Sequence, residues 1–165
     1  MIISTDKAVE LLNKMLDLLY EKDEFLLQRK LNITERAITH RMGMYLQQLL
    51  PDFNVDCEYN RMGQKTQFGV QYTGGDYFAK TVCLSDGQVS DEDDNGSRVF
   101  PDIIVHRRGS AENYIIIEVK ITWKSGLAKH DYKKLGAYKE DLKYDHAFYI
   151  QLGEKRGDAL IELFK

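Results

Sequence analysis

The stretch Phe100–Ile121 reads FPDIIVHRRGSAENYIIIEVKI, and the rest of the chain is read outward from it. Ile103–Val105 and Tyr114–Ile121 are apolar, rich in β-branched residues and bounded by turn formers, the pattern of two buried strands. Arg107–Asn113, with Gly109 and Ser110, is short enough to join them as a hairpin. Side chains alternate faces along a strand, so Ile117, Val119 and Ile121 share one face and Glu118 and Lys120 the other. Asp102 opens the first strand after Pro101, where a missing N–H is tolerated.

This arrangement brings two carboxylates and a lysine to one edge of a largely apolar sheet. Burying such charges without compensation is expensive. Two carboxylates that converge repel each other unless a positive group stands between them, and a hard divalent ion such as Mg²⁺ prefers oxygen ligands. A lysine beside such an ion can orient a water or stabilise negative charge on a phosphate.

The 165 residues suit one domain spanning 1–165, large enough for a real core. An apolar fraction of 43% and a charged fraction of 30% are ordinary for a globular protein. No apolar run approaches the roughly 18 residues needed to cross a bilayer. The start, MIISTDKAVE, lacks a basic segment followed by an apolar block, so neither a secretory signal nor a membrane partner is expected. Cys57 and Cys83 stand apart with no CxxC spacing, which points to reduced thiols and a cytoplasmic location. The net charge of −3 argues against strong nonspecific duplex binding. The charge is uneven, however: Lys120–Lys143 carries seven lysines against Asp131, Glu140 and Asp141, a strip compatible with phosphate contact or with a solvated helix face.

Along the chain, Thr5–Lys22 repeats Ala8, Leu11, Leu12, Met15, Leu18 and Leu19 at helical spacing, with Ser4 or Thr5 as its cap. Asp23–Leu31 continues helically after a break, completing an N-terminal extension over 1–31. A second helix over Thr34–Leu50, stopped by Pro51, carries the stripe Ile38, Met42, Tyr45, Leu46 and Leu49. Glu35 falls on that same arc and His40 points away. Glu35 is read either as a further metal ligand or as the third residue of a capping box begun by Asn32. Asn54–Arg61 reads as a strand, with Glu58 serving the site or pairing with a base. Lys65–Val70 and Tyr77–Leu84 form a hairpin about Gly74-Gly75. A polar, acidic loop insertion covers 85–98; its Asp91–Gly96 run, with Asp102 at the twelfth position, has the look of a calcium loop but lacks flanking helices. Leu127–Lys143 reads as a helix with Tyr132, Leu135, Tyr138 and Leu142 inward, Ala147–Leu152 as a strand, and Asp158–Phe164 as a last element, helical or extended.

The fold class expected is α+β, with a mixed sheet flanked by helices. Pro101-Asp102, fifteen residues, then Glu118-Val119-Lys120 resembles the PD-(D/E)xK nuclease signature. The likeness extends over a core of 32–152. It takes in Glu35-Arg36-Ala37-Ile38-Thr39-His40-Arg41, Glu58-Tyr59-Asn60-Arg61 and Asp131-xx-Lys134-Leu135-xx-Tyr138. The order helix, strand, hairpin strands, helix, strand is the αβββαβ arrangement of restriction-endonuclease-like and Holliday-junction-resolvase-like enzymes, here of the small stand-alone type found in prokaryotes and phages.

The resemblance implies that Asp102 and Glu118 bind Mg²⁺ or Mn²⁺, with Glu35 completing or supporting the metal shell. Lys120 would position the attacking water, and Lys134 and Arg36 would contact the substrate. The reaction implied is phosphodiester hydrolysis in DNA, and a homodimer is an assembly it admits. The chain departs from the family in not being basic and in carrying no separate DNA-reading module. A nuclease fold that has lost catalysis and binds nucleic acid or protein is the rival expectation. Scattered His40, His106, His130 and His146 give no support to a His-metal nuclease, and no Gly-rich phosphate loop or Gly-x-Ser-x-Gly elbow is present.

Overall fold

Ser4 begins the first helix. Its hydroxyl accepts the Lys7 N–H at 3.2 Å, as an N-cap should. Helix α1, Thr5–Asp23, then buries Ala8, Leu11, Leu12, Met15, Leu16, Leu19 and Tyr20 along one side. Two short 3₁₀ turns, Glu24–Leu27 and Arg29–Leu31, end at Asn32, which adopts a left-handed conformation with φ of 46°. Helix α2, Glu35–Leu49, follows. Thr34 caps it by accepting the Ala37 N–H, so the capping box expected from Asn32 is not formed. Asn32 instead closes the preceding turn, a role its tolerance of the left-handed region suits.

The computed structural model describes residues 3–59, 61–62, 78–79, 81–82, 97–98, 100–124 and 128–164. After α2 come β1, Asn54–Cys57, and four two-residue strands: β2, Arg61–Met62; β3, Phe78–Ala79; β4, Thr81–Val82; and β5, Ser97–Arg98. These four pair antiparallel as β2 with β3 and β4 with β5. The expected strand Lys65–Val70, the Gly74-Gly75 turn, Cys83 and the Asp91–Gly96 run lie outside the described residues. Strands β6, Ile103–His106, and β7, Asn113–Ile121, form the hairpin read from the sequence. Helix α3, Ala128–Asp141, leads to β8, His146–Leu152, and the chain continues into β9, Leu160–Phe164. The last element is thus extended.

The main sheet has the order β1-β6-β7-β8-β9. Its pairings are antiparallel except β7 with β8, which is parallel. A parallel neighbour cannot be reached by a tight turn, and α3 supplies the crossover. The molecule is therefore α+β, with a five-stranded mixed sheet and three α-helices among the described residues.

The expected strand Asn54–Arg61 ends early, at Cys57. Glu58 turns left-handed, with φ of 50°, and its N–H reaches the Pro101 carbonyl at 3.0 Å. Pro101 has no N–H to return, so the ladder between β1 and β6 cannot extend past this point.

The two faces of the sheet differ in kind. Ile103, Val105, Ile115, Ile117, Val119 and Ile121, with Phe148, Ile150 and Leu152, pack on α1 and α2 as a continuous aliphatic core. The opposite face carries Ile104, Ile116, Ala147 and Tyr149 under Leu135, Tyr138 and Leu142 of α3. Asp102, Glu118 and Lys120 belong by alternation to this second face. No helix among the described residues is long and apolar enough to cross a membrane.

Candidate active site

The hairpin register sets the site. Ile103 pairs with Ile117 and Ile104 with Ile116, so one step outward Asp102 stands opposite Glu118 on the α3 face. Asp102 is held there by its own carboxylate, whose Oδ2 accepts the Val119 N–H at 2.7 Å. In the same register Val119 lies opposite Pro101, whose carbonyl already accepts the Glu58 N–H. The side chain of Asp102 takes over as the acceptor for that position in the ladder. The strained backbone of Glu58 and the anchored carboxylate of Asp102 are thus two halves of one local solution to the end of the strand.

Glu118 is almost fully buried, at 3% exposure. Burying a carboxylate costs several kcal/mol unless a positive partner and hydrogen bonds offset it. Lys134 of α3 provides such a partner, with Nζ 3.6 Å from Glu118 Oε2. Tyr138 sits one helical turn further along α3 and is buried against the same face. Burial pushes its phenol far above the ordinary value, and the negative charges of Glu118 and Asp102 push it further. Tyr138 therefore stays protonated, close enough to both carboxylates to feel them.

Lys120 follows two residues after Glu118 on the same face. Its Nζ lies 3.9 Å from Glu35 Oε1, while Glu35 Oε2 accepts the Ile121 N–H at 3.2 Å. Glu35 thus joins the N-terminus of α2 to the C-terminal end of β7. The positive end of the helix dipole favours a carboxylate at this position. Neighbouring Arg36 ion-pairs with Glu58 at 2.7 Å, although its own side chain is 77% exposed.

Of the residues singled out in the sequence, Asp102, Glu118 and Lys134 come together, and Lys120 and Glu35 form an adjacent pair. Arg36 is engaged with Glu58 at the surface. Among the described residues no three His, Cys, Asp or Glu side chains converge as a metal cage. The hairpin register makes Asp102 and Glu118 cross-strand neighbours on one face, and both are hard oxygen donors. That fits a Mg²⁺-type ion, which is commonly held by one or two carboxylates and keeps several waters. Glu35 is turned toward Lys120 and the β7 backbone, the place of a supporting group.

A second polar cluster shares this face and was not recognised in the sequence. Asp56 of β1 bonds to His106 Nε2 at 2.8 Å and to Arg108 Nε at 2.8 Å, with a further contact from Arg108 Nη2. The Tyr59 ring lies 5.0 Å from the His106 ring. Burial alone would raise the Asp56 carboxyl, but hydrogen bonds from His106 and Arg108 outweigh it and hold the group well below the carboxylate range. The sequence carries no signal for this cluster, because Asp56 alternates with Val55 and Cys57 onto the polar side of its strand beside Glu58 and Asn60.

No family model matches the chain. No curated protein and no solved structure matches it. The case for chemistry therefore rests on the arrangement of these side chains. Cys57 borders the site from β1, with its thiol pushed up to about 11 by burial and by the charges of Asp102, Asp56 and Glu58. A thiol so disfavoured as thiolate is a poor nucleophile.

Proposed function

We propose that the protein is a metal-dependent nuclease of the PD-(D/E)xK type that hydrolyses phosphodiester bonds in DNA. The observation that carries this reading is Asp102, just before β6, standing opposite Glu118 of β7 one step beyond the Ile103–Ile117 pair, with Lys120 following on the same face. The order α2, β1, β6, β7, α3, β8 supports it, being the αβββαβ succession of a restriction-endonuclease-like core.

Asp102 and Glu118 would hold Mg²⁺ or Mn²⁺, which when bound neutralises phosphate charge and lowers the pKa of a bound water. The other roles belong to the chain. Lys120, steadied by Glu35, presents a cation where a phosphate oxygen gains charge in the transition state. Lys134 sets a positive charge 3.6 Å from buried Glu118, and Tyr138 supplies a protonated hydroxyl beside both carboxylates. Phosphate carries no sequence information, so this constellation specifies the chemistry and leaves base selection to other parts of the chain.

The experiment is cleavage of supercoiled plasmid and branched DNA with Mg²⁺ or Mn²⁺, by wild type and by Lys120→Ala. Metal-dependent nicking that Lys120→Ala abolishes is the expected result. Absence of cutting on every DNA and RNA form, or equal cutting by Lys120→Ala, removes the nuclease reading.

One observation favours the catalytically silent alternative. Both lysines of the site contact carboxylates of the chain, Lys134 with Glu118 and Lys120 with Glu35, which is the compensation a metal-free site would need. Calorimetric titration with Mn²⁺ separates the two readings. Heat of binding that Asp102→Asn abolishes supports the nuclease, and its absence in wild type supports the silent protein.

A further inference from the structure

A shallow cavity of about 560 Å³, widely open to solvent, lies at the C-terminal ends of the parallel pair β7 and β8. This is where an α/β sheet offers a crevice, because the chain leaves the two strands there. Trp123 and Thr122, just past β7, form one side, and Gln151, with Gly153 and Glu154, the other. Arg29 and Asp158 complete the wall. The volume falls in the range of small-molecule sites, about 300–1,000 Å³.

The cavity is built on braced backbone. Glu154 accepts the Arg29 N–H at 2.8 Å, Tyr20 donates its hydroxyl to the Gly153 carbonyl at 2.8 Å, and the Thr122 N–H bonds to the Leu152 carbonyl at 2.9 Å. These links tie both strand ends to each other and to the N-terminal helices. The cavity is also tied to the candidate active site by register. Gln151 pairs with Lys120 across β7 and β8, and paired residues of parallel strands face the same side. The two backbones stand one strand spacing apart, about 4.8 Å, less than the length of a single nucleotide.

The lining chooses among the parts of a nucleotide. The lining carries one basic residue, Arg29, against two acidic ones, Glu154 and Asp158, a negative balance that disfavours a phosphate. The remaining residues are Trp123, whose indole is half-buried against the apolar core with its Nε1 turned inside, Gln151 with donor and acceptor in one plane, and exposed Thr122 with its hydroxyl. Those suit a neutral, planar group whose edge carries both donors and acceptors, which describes a nucleobase. Bases of a duplex have their edges paired and faces stacked, whereas bases of single strands are free to stack on aromatic side chains and bond through their edges.

We infer that this cavity receives an unpaired nucleoside next to the phosphate held at Lys120, so that the preferred substrate is single-stranded nucleic acid or a frayed or flapped end. The inference rests on the nuclease reading and names the substrate class for the same site.

Trp123 is the only tryptophan of the chain and reports on the cavity directly. The experiment titrates the Asp102→Asn protein, with Mg²⁺ present, with a twelve-nucleotide single strand and with the blunt duplex of that sequence, following tryptophan emission and, separately, anisotropy of a labelled strand. The single strand is expected to quench Trp123 saturably and to bind at least tenfold more tightly than the duplex. Gln151→Ala in the same background should reduce single-strand affinity about tenfold and leave duplex affinity within twofold. Thr122→Phe, which narrows the cavity from an exposed position, should do the same and guards against a folding defect in the first variant.

Equal affinity for the two forms, with both variants neutral, overturns the inference, while persisting metal-dependent cleavage by wild type keeps the nuclease reading. A single-strand preference with Trp123 emission unchanged and both variants neutral places the preference elsewhere and also overturns it. If wild type cuts nothing and the Asp102→Asn protein binds nothing, the nuclease reading fails, and the inference fails with it.

Discussion

Asp102 Oδ2 accepts the Val119 N–H at 2.7 Å, so a proposed metal ligand is also a strut of the β6–β7 hairpin. The two roles separate by substitution. Asparagine retains an oxygen acceptor for Val119 but loses the charge. Asp102→Asn should therefore melt near wild type while metal-dependent cleavage falls by about a hundredfold or more. Asp102→Ala should lose the same activity and in addition about 1–3 kcal/mol of stability, because the Val119 amide is left buried with no acceptor. Urea titrations of the two variants beside plasmid assays give both readouts. Equal stability of Asn and Ala variants would show that the strut is not needed.

Lys134 should matter for folding as much as for substrate. Removing one partner of a buried ion pair strands the other, at about 3 kcal/mol or more. Lys134 is itself 27% exposed, which softens the effect. Lys134→Met is expected to destabilise by about 2 kcal/mol, and Glu118→Gln in the same chain should recover most of that loss. A double-mutant cycle by chemical denaturation checks it. Additive losses would mean that the pair at 3.6 Å is not energetically coupled.

Much of this was legible in the chain because it is local. Apolar runs on either side of Arg107–Asn113 gave the hairpin. Its register was not legible: a one-residue shift between Val105 and His106 places Asp102 opposite Glu118, where the pairing nearest the turn would have placed Ile117. What the sequence did not give is non-local. A mixed sheet was expected, but period-2 alternation says nothing about pairing direction, so it did not mark β7 and β8 as the parallel pair, and it left the last element helical or extended. Thr34 and Asn32 are both good capping residues, and only the left-handed turn at Asn32 settles which one starts α2. The end of β1 at Cys57 depends on Pro101, remote in sequence. Asp56, His106 and Arg108 meet across strands in the same way, and no short motif announces them.

Gly43 marks the closest approach of α2 to β1. A Cβ there would stand 2.6 Å from Cys57 Sγ, well inside contact distance. Glycine within a helix is about 1 kcal/mol worse than alanine, so its presence reflects this approach. Gly43→Ala in the wild-type chain should destabilise by about 1–2 kcal/mol, overpacking outweighing the propensity gain. In a Cys57→Ala background the same substitution should change sign and stabilise by up to about 1 kcal/mol. Thermal melts of the four proteins decide it, and a loss of equal size in both backgrounds would locate the strain elsewhere than at the thiol.

The Asp56 cluster should give the protein an acid-sensitive component of stability. His106 and Arg108 bind the ionised carboxyl, and their hydrogen bonds lower its folded-state pKa despite burial. Tyr144 lies near enough for the Asp56 charge to add to the rise that burial imposes on its phenol. A carboxyl whose folded pKa lies below its unfolded value, about 3.9, contributes stability that is fully present above that pH and is lost as pH falls through the folded value. Asp56→Asn leaves Arg108 without its counter-charge and weakens the acceptor facing His106, and should cost about 3 kcal/mol at pH 7. The gap between wild type and variant should then narrow steadily below about pH 4, as protonation makes the wild-type carboxyl neutral too. Urea unfolding at pH 7, 4 and 2.5 measures the gap, and one that stays constant across that range would show that the ionised form of Asp56 is not what clamps β1 to β6.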